Sequence, residues 1–94
     1  MSVIELGFSK LYHQDDYRQA AIDAIEALRE RQGLVHARVS IMARCGEEVG
    51  LVPVTSAIGI IEKHLPEACD IDYFIHRFEN EELKDRFELI IAGF

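Results

Sequence analysis

The chain has 94 residues and a mass of 10.7 kDa, with 49% hydrophobic and 29% charged residues. That length suits one domain, and the balance is too apolar for intrinsic disorder. Ten Lys+Arg against 17 Asp+Glu give a net charge of −7, a surface that repels phosphate backbones and acidic membrane faces, so no nucleic-acid and no membrane partner is expected.

No apolar stretch approaches the ~20 residues of a membrane span. The opening MSVIELGF lacks a basic segment followed by an apolar one, and a cytoplasmic location is expected. Cys45 and Cys69 have no CxxC partner and read as free thiols.

Val3 to Phe8 alternates with period two, which predicts a first strand with Ile4, Leu6 and Phe8 on one face. From Tyr17 to Arg31 the residues Tyr17, Ala21, Ala24, Ile25 and Leu28 recur at spacings of three and four, predicting an amphipathic helix. Asp15 or Asp16 is its expected cap, and Gly33 its end. Val35 to Ala43 alternates again as a second strand, and Arg44 to Gly50 reads as a loop.

Leu51-Val52-Pro53 leads toward a second helix, capped by Thr55 or Ser56 and stopped by Pro66, with Val54, Ala57, Ile58, Ile61 and Leu65 on its apolar face. Gly59 lowers its propensity and suggests close packing. Ile71 to Phe78 is rich in β-branched and aromatic residues, and Arg86 to Ala92 is apolar on nearly both faces, which predicts a central last strand. The polar stretch Glu79 to Asp85 is short enough to close a hairpin between these two strands. The order β-α-β-α-β-β predicts an α+β two-layer sandwich: a mixed four-stranded sheet with two helices on one face.

The stretches Glu62 to Ala68, Asp70 to Phe78, Asn80 to Asp85 and Arg86 to Phe94 resemble the end of the C-terminal domain of FtsZ, the tubulin-like bacterial cell-division GTPase. That family has a helix, a strand, an acidic turn with a leucine or methionine, and a last strand closing on glycine plus an apolar residue. The earlier elements are similar in order. A tubulin-like GTPase also needs a glycine-rich phosphate loop. Cys45-Gly46 and Gly50 are the nearest candidates, and Glu47 and Glu48 make their surroundings too acidic for a triphosphate.

The family's hydrolysis-triggering loop lies just before the first strand, where this sequence has Met1-Ser2. The resemblance therefore implies a stand-alone interaction module that binds FtsZ-like or other cytoplasmic proteins, or itself, with no catalytic residues, nucleotide or cofactor. In the family the second helix and third strand lie at or near the longitudinal subunit contact, which implies a partner surface on Glu62, Lys63, Glu67 and Asp72.

His13, His36, His64 and His76 are isolated in sequence and form no metal motif. Cys45 beside Arg44 in a loop is a candidate reactive thiol, or else a small buried hydrophobe. Glu47-Glu48 and Glu79 to Asp85 read as solvated loops, because neither has the ligand spacing of a calcium site. His36, Arg38 and Arg44 form a basic stripe. It either pairs with carboxylates across the sheet or binds an anion. The same element order resembles the chorismate-mutase-like fold, whose trimers place sites between subunits. On that alternative reading the stripe is an anion site in a small oligomeric ligand-binding protein or enzyme.

Overall fold

A computed structural model describes residues 4–6, 10–29, 38–79 and 81–93. Its elements are β1 (Ile4–Leu6), β2 (Tyr12–His13), a 3-10 turn (Gln14–Asp16), α1 (Tyr17–Arg29), β3 (Arg38–Gly46), α2 (Leu51–Lys63), β4 (Asp70–Phe78) and β5 (Arg86–Gly93). The architecture is α+β, with a mixed sheet ordered β1-β5-β3-β4 and β2 paired to β5 beyond β1.

Both helices cover one face. Val39, Ile41, Ala43 and Cys45 from β3, and Phe87, Leu89 and Ile91 from β5, share a core with Ala20, Ala21, Ala24 and Ile25 of α1 and Val54, Ala57, Ile58 and Ile61 of α2. The small alanines let α1 lie close to α2 and the sheet, while the branched residues fill the space between.

β5 is central, as its two apolar faces require. It pairs antiparallel with β1 and β2 on one side and with β3 on the other. β3 and β4 are parallel over nine consecutive pairs, from Arg38 opposite Asp70 to Gly46 opposite Phe78, and α2 is the crossover a parallel pair needs.

The expected hairpin between the last two strands does not form. β3 lies between β4 and β5, so residues 79–85 span two inter-strand spacings, about 10 Å, passing the end of β3. At that crossing Glu48 N–H donates to Lys84 O at 3.0 Å, and Lys84 adopts a left-handed φ of 43°. Gly46 makes room for the crossing: a Cβ there would lie 2.1 Å from Lys84 O.

The predicted first strand appears as β1, and a second short strand that was not predicted, β2, joins the same side of β5. Leu6 faces Ile91 and Tyr12 faces Phe87, so six steps on the edge oppose four on β5 and the register shifts by two residues. The rest of the predicted strand, at Val3, Gly7 and Phe8, lies outside the described residues, as do Gly33 and the start of the predicted second strand at Val35 to Ala37. β3 continues through Gly46 where a loop was expected from Arg44.

Asp15 and Asp16 belong to the 3-10 turn rather than capping α1, and His13 Nδ1 accepts from Asp15 N–H at 3.2 Å. α2 begins at Leu51, earlier than Thr55 or Ser56 would allow. Its N-cap is Gly50, whose N–H donates to Gln14 Oε1 at 3.1 Å. Pro53 sits in the first turn, where its missing N–H costs no hydrogen bond. Thr55 Oγ1 instead donates back to the carbonyls of Leu51 and Val52. α2 ends at Lys63, before Leu65.

Gly59 does not mark close packing, since an added Cβ meets nothing within 4 Å. Gly59→Ala is expected to raise the unfolding free energy by about 0.5 to 1 kcal/mol through helix propensity alone. A urea titration measures it, and a lower midpoint would place an unseen contact there.

Candidate interaction surface

The four predicted partner residues do not form one patch. Glu62 and Lys63 are exposed in the last turn of α2, and Glu67 is exposed in the turn that follows. Asp72 lies on the opposite face of the sheet. It is one residue out of phase with Ile71 and Ile75, which pack against the core, and it meets Ser40 and Arg38 across β3.

Of the predicted basic stripe, His36 lies outside the described residues. Both arginines are held by carboxylates across the sheet. Arg38 Nε donates to Asp72 Oδ2 at 3.0 Å, and Arg44 Nη1 donates to Glu88 Oε1 at 2.6 Å. The hydrogen bond from Ser40 and then the Arg38 guanidinium hold the Asp72 carboxyl below its ordinary range, and Asp72 raises Arg38 in turn. Arg44 also lies over the Phe78 ring, with its guanidinium carbon 5.0 Å from the centroid. A small anion would have to displace these partners.

Among the described residues, the remaining titratable groups do not converge on a reaction centre. His13 Nε2 lies 2.9 Å from Asp85 Oδ2, and His64 Nδ1 meets the Ile60 carbonyl at 2.8 Å. Cys45 lies in β3 rather than in a loop and is buried. Burial pushes its thiol up from its ordinary value, against the smaller opposing effect of Arg77, which disfavours the nucleophilic thiolate. Burial, with Asp70 adding to it, raises the Cys69 thiol as well.

Tyr12 donates to the Asp23 carboxylate. Burial first, then that bond, pushes the phenol well up, and the same bond holds Asp23 down, supported by Gln19 and Lys10. Among the described residues, no group of three His, Cys, Asp or Glu side chains is placed to hold a metal ion. One surface depression, lined by Glu47, Glu48, Glu79, Glu81 and Lys84, is acidic. Another lies between the helices beside Tyr17, Arg18, Gly59 and Lys63.

The face of the sheet turned from the helices carries the feature that motif searching missed. No described element covers it. Phe74, Met42 and Ile90 occupy matched positions on β4, β3 and β5 and form an apolar row across the sheet. Phe74 is 55% exposed and Met42 39%. Asp72 and Ser40 flank the row on one side; His76, Arg44 and Glu88 flank it on the other.

Tyr73, 49% exposed, points to the other side of the same edge strand. The adjacent pair Tyr73-Phe74 was the available signal. Two consecutive aromatics in a strand must lie on opposite faces, and an edge strand cannot bury both.

No helix among the described residues is long and apolar enough to cross a membrane. Neither a protein-family model nor a curated protein sequence matches the chain.

Proposed function

We propose that the chain is a non-enzymatic protein-interaction module of the cytoplasm that resembles the FtsZ C-terminal domain and works through β4 and the uncovered sheet face. The supporting observation is the exposed apolar row led by Phe74 on an edge strand. Solvent-exposed aromatics flanked by polar groups form the kind of centre from which protein contacts are built. Of the polar groups around it, Asp72 is paired with Arg38, and Arg44 with Glu88.

The specific form of the proposal follows the resemblance. The module docks on an FtsZ subunit through β4 and the uncovered sheet face and so competes for that subunit's place in a filament. In a sedimentation assay, excess module is expected to lower the amount of pelleted FtsZ polymer. Unchanged polymer with no bound module would eliminate this partner.

A further inference from the structure

β4 lacks the backbone defences of an edge strand. Its nine residues, DIDYFIHRF, contain no proline, glycine or lysine, and its unbroken register with β3 contains no bulge. One row of its backbone N–H and C=O groups is satisfied by β3. The outer row faces away from the sheet, because β4 is the last in the order of the described strands. Such an edge is a template for another strand.

The distribution of charge along β4 identifies that strand. Both acids, Asp70 and Asp72, are in its first half, and both basic side chains, His76 and Arg77, are in its second. A parallel copy in register would set like against like. An antiparallel copy sets the acidic half against the basic half.

Residues opposed across an antiparallel pair share a face, so the two-fold axis must pass through a residue position. The axis at Phe74 uses all nine residues. It places Asp72 opposite His76, Ile71 opposite Arg77, Tyr73 opposite Ile75 and Phe74 opposite its own copy. No like charges meet, and two of these pairings are of the aromatic–aromatic and aromatic–β-branched kinds that stabilise sheets.

We infer that the occupant of this edge is a second copy of the chain, joined through β4 in an antiparallel, two-fold-symmetric pair centred on Phe74. The inference rests on the reading of β4 as an interaction surface and names its partner. A two-fold axis normal to the sheet keeps both helical layers on one side. On the other side, the apolar rows of the two copies join end to end, from Ile90 through Met42 and Phe74 to Phe74, Met42 and Ile90 of the partner.

Sedimentation velocity over a concentration series tests the assignment. The full-length chain is expected to show a reversible dimer. Phe74→Lys, which sets two ammonium groups at the axis, is expected to weaken the dimer about 30-fold or more, the effect of removing a central aromatic anchor. His76→Asp, which sets carboxylates against Asp72 of the partner, is expected to weaken it less. At concentrations low enough for every variant to be monomeric, the exposure of both positions predicts unchanged urea midpoints.

Phe74→Cys supplies an independent readout. Under mild oxidation it is expected to cross-link to its own copy, while the unaltered chain, with Cys45 and Cys69 buried, does not. A monomer at every concentration would overturn the proposal, as would a dimer that is indifferent to Phe74→Lys and gives no cross-link at position 74. If the unaltered monomer still lowers pelleted FtsZ polymer, only the second-copy assignment falls.

Discussion

Replacing Gly46 with alanine is expected to lower the unfolding free energy by about 3 kcal/mol or more, in the range reserved for backbone collisions and large core defects. A methyl group at this position would lie 2.1 Å from Lys84 O and 2.5 Å from Lys84 C and N. All three atoms are backbone, so no side chain can rotate away.

Relief would require moving the 81–85 turn, which several interactions hold. Glu48 N–H donates to Lys84 O, Gln14 N–H donates to Asp85 O at 3.0 Å, and Leu83 is buried. The perturbation would therefore reach β5, β2 and the approach to α2 together. Urea denaturation of Gly46→Ala measures it. A loss below about 1 kcal/mol would mean that the crossing connector adjusts freely, contrary to the close contact described.

Arg44→Met is expected to cost about 2 kcal/mol. Glu88 is only 9% exposed in the central strand, and Arg44 supplies its charged partner at 2.6 Å. Removing one member of a buried pair leaves an uncompensated charge, a loss of about 3 to 5 kcal/mol when both are fully buried. Arg44 remains 41% exposed, so water screens part of that effect.

The double variant Arg44→Met/Glu88→Leu is expected to recover most of the loss, because it replaces the pair with apolar surface. A double-mutant cycle read by urea midpoints gives the coupling. A coupling near zero would free Arg44 for an external anion and revive the anion-site reading.

The strongest local patterns in the sequence carried the layout. β5 was legible as a central strand because Phe87, Leu89 and Ile91 alternate with Ile90 and Ala92, leaving little polar surface for water. α1 was legible from its alanines and Ile25. The position of β4 was not, because a connector of the length of 79–85 fits a hairpin as readily as a crossing over β3. Gly46 decides between them, and its role depends on a turn nearly forty positions later in the chain.

The start of α2 was misplaced for a related reason. Gly50 has no capping side chain, and Gln14 reaches in from another element. Thr55 looked like a cap but bonds backward along its own helix. For the candidate surface, the charged residues attracted attention as chemistry-bearing groups, yet Arg38, Asp72, Arg44 and Glu88 hold neighbouring strands together. Met42 does not stand out in a sequence in which apolar residues are common, and the pair Tyr73-Phe74 marks an exposed aromatic only if β4 is known to be an edge strand. They became visible only once the sheet had an uncovered side.

The place of β5 in the sheet constrains the order of assembly during synthesis. β3, α2 and β4 are consecutive, and they can close their parallel unit as soon as they emerge from a ribosome. β1 and β2 are made before β3 but have no strand to pair with until β5 appears. Of these described elements, the last made is therefore the joining piece. Until it arrives, β3 presents an open edge beside that of β4, and the nascent chain passes through a stage that exposes a strand the finished fold encloses on both sides.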